Sequence, residues 1–125
     1  MVEVSNAELR VMQVLWQQSP QTAQEIVGQL QQDFDWHEKT IKTMLNRLTQ
    51  KSAVTYTQQG RSYLYSPAIS EKAYQEQASK SFVQRLFSGK VTPLVAHFAE
   101  KGELSDKDIS ELKALIEKLE DRQHD

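Results

Sequence analysis

Between Lys39 and Ser70 the chain changes its hydrophobic rhythm without once using an acid. Ile41, Met44, Leu45 and Leu48 recur at spacings of three and four, one face of an α-helix. Soon afterwards Val54-Thr55-Tyr56-Thr57 and Ser62-Tyr63-Leu64-Tyr65 bring β-branched and aromatic residues in two short runs. Gln58-Gln59-Gly60-Arg61 between the runs reads as a turn, with Gly60 able to take positive φ. A helix leading straight into a hairpin leaves few architectures open. The same stretch carries Lys39, Lys42, Arg47, Lys51 and Arg61 and no Asp or Glu.

That local charge is hidden in the total, which is −2 over 125 residues. Residues 1–69 hold six basic and six acidic side chains, and residues 70–125 hold nine and eleven. Attraction to nucleic acid follows clustering, not the sum. With 38% hydrophobic and 26% charged residues, the chain reads as folded and soluble. No apolar run nears the ~20 residues that span a bilayer, and no membrane partner is expected. Met1-Val2-Glu3-Val4 lacks the basic and apolar regions of a signal peptide. Cysteine is absent, which removes disulfides and thiolate metal sites and makes a cytoplasmic location the expectation. The three histidines show no ligand spacing, so no metal or cofactor is expected. Nor does any nucleophile, phosphate loop or other catalytic motif appear, and an enzyme is not expected.

Helix starts are marked by a hydroxyl with an acid three residues on, at Ser5…Glu8, Thr22…Glu25 and Ser105…Asp108, and more loosely by Ser70 before Glu71. The first helix is expected over Asn6–Gln18, burying Leu9, Met12, Leu15 and Trp16, with Ser19-Pro20 as its stop. The second follows Thr22 and buries Ala23, Ile26, Val27 and Leu30. The third starts near His37 and runs to about residue 51. Pro67 closes the hairpin. Three helices and a two-stranded wing make a winged helix-turn-helix over residues 1–69. Residues 70–125 read as three more helices: about Glu71–Ser88 ending at Gly89, a short one opened by Thr92-Pro93 and closed by Gly102, and one after Ser105. The fold class is therefore mainly α.

In the third helix Lys39, Thr40, Lys42, Thr43, Asn46 and Arg47 lie off the apolar stripe. A recognition helix needs this division, with apolar residues against the scaffold and donors toward the major groove of double-stranded DNA. An ordinary solvated face is the competing reading, but such a face mixes signs and this one does not. Arg61 at the hairpin tip can reach a minor groove or its phosphates. Tyr63 and Tyr65 share a strand face, where a hydroxyl can touch phosphate, though packing on the third helix is expected for at least one. Trp16 and Trp36 read as core. His37 stands where an N-cap is needed, yet His caps poorly, and it reads as a tolerated surface residue.

The C-terminal helices expose apolar faces with nothing to cover them in a piece too small to be stable alone. A homodimer through residues 70–125 follows, with Tyr74, Phe82, Leu86, Phe87, Leu94, Phe98, Ile109, Leu112 and Ile116 as the dimerisation set. A winged-helix module that docks proteins and never touches DNA is the alternative function, since fold does not fix function.

Several segments resemble the penicillinase-repressor family, the BlaI/MecI/CopY group. They are Ser5–Glu8 with Val11-Met12 and Leu15-Trp16, the run Trp36–Leu48, Gly60–Pro67, Phe87–Val95 and Leu104–Ile109. The resemblance implies a dimeric repressor on an inverted-repeat operator, with Lys39, Thr40, Lys42, Thr43 and Arg47 facing DNA and Gly60 and Arg61 at the wing tip. It implies target genes of β-lactam resistance or copper homeostasis. Three departures stand out. The Ser that usually follows the Trp is His37, and the Gly that commonly ends the recognition helix is Ser52. Antibiotic-sensing members are cleaved by an inducing protease at an Asn-Phe bond, where this chain has His97-Phe98. The copper switch of other members needs a cysteine motif that this chain lacks, so the resemblance leaves the inducer open.

Overall fold

A computed structural model describes residues 2–124. The elements run α1 (Asn6–Gln17), α2 (Ala23–Asp33), α3 (Glu38–Gln50), β1 (Val54–Gln59), β2 (Ser62–Pro67), α4 (Glu71–Phe87), α5 (Val91–Glu100) and α6 (Asp106–Gln123). The fold is mainly α with one two-stranded antiparallel sheet. By packing the chain forms two compact units, Met1–Ala78 and Ser79–Asp125. The first extends beyond residue 69 because the opening turns of α4 pack on it: Tyr74 lies against Trp16 with ring centroids 5.7 Å apart, and Gln77 Nε2 donates to the Val2 carbonyl at 2.8 Å.

The expected capping boxes at Ser5/Glu8, Thr22/Glu25 and Ser105/Asp108 all form, each with hydroxyl and carboxylate bonded reciprocally to backbone N–H groups. The Ser70 hydroxyl accepts from the Ala73 N–H at 3.1 Å. The short helix α5 begins at Val91, ahead of the expected Thr92-Pro93. Lys90 occupies the cap without a side-chain bond. Pro93 then stands third in the helix, where its missing N–H is one of four that have no intrahelical acceptor anyway.

Val11, Met12 and Leu15 of α1, Ile26, Val27 and Leu30 of α2, Ile41, Met44, Leu45 and Leu48 of α3, and Ala53 and Val54 form the core. The expected stripes of α2 and α3 lie within it, except that Ala23 is only half-buried. In α1 Val11 is fully buried while Leu9 and Trp16 are half-buried at its margin. Neither tryptophan is true core. The Trp16 Nε1–H donates to the Ile69 carbonyl at 3.0 Å, and Trp36 stacks on Phe34 at 4.5 Å. Both are half-buried and packed at the margin of the core.

The strands run two residues longer than expected. Gln59 pairs with Ser62, so the turn is Gly60-Arg61 alone. Only Gly60 takes positive φ there, +63°, the pattern of a type II′ turn matched to strand twist. A further strand contact is a single residue, Gln21, which exchanges backbone bonds with Tyr65 at 3.0 and 2.8 Å. This bridge welds the wing to the α1–α2 connection. Gln21 is wholly buried, and its Nε2 donates to the Val14 and Gln18 carbonyls.

In α4, α5 and α6 no residue is fully buried. Leu86, Val91, Leu115, Ile116 and Leu119 are each about half exposed or more, at 47–62%. A helical unit of this size without a buried side chain leaves its apolar surface in water, which is an unfavourable end state for a folded chain.

Candidate nucleic-acid interface

Two capping interactions hold α3 in place. At its start the His37 Nδ1 accepts the Lys39 backbone N–H at 3.2 Å. His37 is therefore the N-cap itself and not a bystander on the surface. At its end the Ser52 N–H donates to the Thr49 carbonyl at 3.1 Å and the Ala53 N–H to the Leu48 carbonyl at 2.9 Å. These are the paired bonds of a Schellman motif, and they require Ser52 to sit at φ +64°. The turn that the sequence has to make without glycine is made by a serine in the left-handed region.

Lys39, Thr40, Lys42, Thr43, Asn46 and Arg47 are all exposed, opposite the buried Ile41, Met44, Leu45 and Leu48. The exposed face has two parts. Lys39, Thr40, Thr43 and Arg47 line an open groove together with His37, with Met44 in its wall. Lys42 and Asn46 stand one turn apart on the flank. Lys42 Nζ lies 3.0 Å from Glu38, a pair with both side chains about half exposed. Such a surface pair is worth only about 0.3–0.5 kcal/mol and yields readily to a stronger anion.

The tyrosines form a cluster on one face of the wing. Tyr56 stands directly opposite Tyr65, and Gln58 opposite Tyr63. Tyr56 and Tyr63 meet edge to face at 4.9 Å, and Tyr56 and Tyr65 lie 5.9 Å apart. Tyr65 packs on the core, while Tyr63 and Tyr56 keep 44% and 50% of their surface exposed. Burial raises the Tyr65 phenol above its ordinary value, and the neighbouring tyrosines push the same way. The Lys42 charge opposes them, which brings α3 and the wing into one electrostatic neighbourhood. The wing adds Arg61 at its exposed tip.

Three features of this region went beyond the sequence reading: Tyr56, the burial of the capping acid Glu8 against Lys51, and Gln21. Tyr56 lies on the aromatic face and was legible from the strand's period of two. Glu8 is almost completely buried, and Lys51 Nζ reaches its two oxygens at 2.7 and 3.0 Å. Burial raises the Glu8 pKa. The Lys51 hydrogen bond, the Ser5 backbone and hydroxyl bonds and the Lys51 charge outweigh burial, so the carboxyl sits below its ordinary value. Gln21 is the third. A hydrophobicity pattern marks neither a buried Glu nor a buried Gln.

Of the dimerisation residues, Tyr74 is engaged within the first unit. In the second unit Phe82 and Phe87 lie 6.2 Å apart, and Leu86, Phe98, Ile109 and Ile116 are exposed, with Leu94 and Leu112 half-buried. His97 and Phe98 are adjacent exposed residues on α5, inside a regular helix. Among the described residues no cluster of His, Asp or Glu could hold a metal ion, and no helix is long and apolar enough to cross a membrane.

The family model for penicillinase repressor matches residues 4–118. The penicillinase repressor of Bacillus licheniformis is 38% identical over 120 residues, 96% of this chain and 94% of that one. The methicillin resistance regulatory protein MecI of Staphylococcus aureus (strain N315) is 31% identical over 116 residues, 93% and 94% of the two chains. Two solved structures align with 58% of this chain at 40% identity. One is the DNA-binding domain of the repressor BlaI, with a TM-score of 0.54 and 89% of that chain covered. The other is Bacillus licheniformis BlaI in monomeric form in complex with the blaP half-operator, with a TM-score of 0.52 and 88% covered. The family is one of DNA-binding repressors and not of enzymes. With its signature running almost from end to end and a winged helix beneath it, this chain belongs to the penicillinase repressor family.

Proposed function

We propose that the protein is a dimeric transcriptional repressor that inserts α3 into the major groove of an inverted-repeat operator and lays its wing on the flanking backbone. The observation that carries this reading is the division of α3: Lys39, Thr40, Lys42, Thr43, Asn46 and Arg47 are exposed, Glu38 in the first turn is the helix's one acid, and four buried apolar residues lie behind them. Lys39, Thr40, Lys42, Thr43, Asn46 and Arg47 are assigned to the groove, and Arg61 and Tyr63 to the wing contact. BlaI in complex with a half-operator supports the same docking here. Phosphate contacts then dominate affinity and make it fall steeply with salt.

Dimerisation is assigned to residues 70–125, chiefly through Phe82, Leu86, Phe87, Leu94, Phe98, Ile109, Leu112 and Ile116. The support is the exposed apolar surface of a helical unit without a buried residue. The names of the relatives point to penicillinase and methicillin-resistance genes as the controlled class.

The test is a genomic binding selection. Purified protein captures sheared DNA of its source at two salt concentrations, and the captured DNA is sequenced. Enrichment of a short inverted repeat upstream of a few genes is the expected result, and those genes identify the controlled class. Capture at neither salt overturns the repressor reading and favours a protein-docking module.

A further inference from the structure

We infer that His37 is itself a DNA contact, donating from Nε2–H to an acceptor on the operator. The inference rests on the repressor reading above. It starts from one hydrogen bond. The Lys39 backbone N–H points at His37 Nδ1 at 3.2 Å, so Nδ1 is the acceptor and carries no proton. In a neutral imidazole the proton is then on Nε2. The cap fixes the tautomer and, with it, the direction of the remaining N–H.

That N–H has no partner among the described residues, and the side chain is exposed. It borders the open groove lined by Lys39, Thr40, Thr43 and Arg47, the side chains assigned to DNA. His37 precedes Thr40 by three residues, and Thr40 precedes Thr43 by three, so the stripe continues one turn beyond the helix proper. Ser or Thr at this cap spends its short side chain on the helix backbone. Histidine separates the two tasks, with one ring nitrogen for the helix and the other, on the far side of the ring, for a ligand. The DNA acceptor is an anionic phosphate oxygen or a purine N7 or O6 at the groove edge, and both take an N–H donor.

The experiment compares wild type, His37→Ser, His37→Ala and Arg47→Ala on two duplexes: the inverted repeat recovered by the selection and a shuffled sequence of the same length. Binding is read by fluorescence anisotropy and folding by thermal melting. Serine caps at least as well as histidine, so His37→Ser melts no lower than wild type. If His37 only caps, His37→Ser binds as well as wild type or better, and the inference falls. If its N–H contacts DNA, His37→Ser weakens binding about tenfold, the worth of one hydrogen bond in each half-site. His37→Ala loses at least as much and melts lower. An equal loss on both duplexes assigns the acceptor to phosphate, and a loss confined to the inverted repeat assigns it to a base edge. If Arg47→Ala is weakened while His37→Ser is not, only the His37 assignment is overturned. If neither is weakened, the recognition-helix reading goes with it. An independent arm reads the imidazole ¹⁵N shifts: the Nε2–H tautomer is expected, and an Nδ1–H tautomer overturns the inference.

Discussion

Glu8 and Lys51 meet at 2.7 Å, joining the first turn of α1 to the last residue of the recognition-helix cap. The carboxylate is buried and the ammonium is 39% exposed, so the pair lies between the cheap surface case and the costly interior one. Its effect is positional. The Glu8 side chain also closes the Ser5 capping box, so one carboxylate ties the start of α1, the end of α3 and the register between them.

Lys51→Ala leaves that carboxylate without its main partner and should cost about 1–3 kcal/mol at neutral pH. The pH dependence has a definite sign. Glu8 has a lowered pKa in the folded state, so its contribution is present above the ordinary value near 4.5 and is lost as pH falls through the folded value. In Lys51→Ala the hydrogen bond and charge of Lys51 no longer oppose burial, and neutralising the carboxyl relieves the cost of burying it. The gap in melting temperature between wild type and variant should therefore narrow on acidification from pH 6 to about pH 3. A gap that widens would contradict the pairing.

Ser52 holds φ +64° at the end of α3, where a side chain carries a steric penalty that glycine avoids. Ser52→Gly should stabilise the protein by about 1 kcal/mol, or a rise of ~4–8 °C in melting temperature if the first unit melts as a domain of 60–100 residues. DNA binding should be unchanged, because Ser52 lies beyond the assigned contacts.

Arg47→Ala and Lys42→Ala should each weaken operator binding by about 1–3 kcal/mol if they reach base edges. The Glu38 pair adds a converse test. Glu38→Gln frees Lys42 and removes an acid beside the groove, so affinity for any duplex should rise about two- to fivefold at low salt. The gain should shrink as salt is added. Titrations at two ionic strengths decide both points.

Arg61→Ala should lower affinity with little change in preferred sequence, since a wing-tip arginine on phosphate positions but does not specify. A shifted preference in a repeat selection would indicate minor-groove readout instead. Gly60→Ala, at φ +63°, should cost about 1 kcal/mol or more through the turn alone.

A fragment ending at Ala78 should be a monomer that binds one half-site weakly, having lost the tethering gain of two linked heads. Ending it at residue 69 would remove Tyr74 and Gln77 from their contacts with Trp16 and Val2, and should destabilise it further. Sedimentation and operator titration of the longer fragment check this. Full operator affinity in a monomer would contradict the dimer.

Helix starts, the α3 stripe and the hairpin were legible because each rests on interactions within a few residues. Ser5…Glu8 or Ile41…Leu45…Leu48 can be read without knowing the partner. The exposed donors of α3 were legible as the complement of that stripe. The burial of Glu8, the whole of Gln21 and the place of Tyr56 beside Tyr63 and Tyr65 were not singled out. A buried Glu is stable only with Lys51, 43 residues away, and a buried Gln only beside β2 and the end of α1. His37 was read from its average capping preference, which says nothing of how its ring is turned.

By itself the sequence determined the order of the elements, the segregation of charge and the face each helix hides, since these depend on local propensity and spacing. Tertiary structure alone decided that Lys51 belongs to Glu8, that Gln21 welds the wing to the helices, and that the His37 ring is capped on one nitrogen and open on the other. Those outcomes depend on groups distant in sequence or on side-chain geometry, and their energies exist only once the chain has brought the partners into contact.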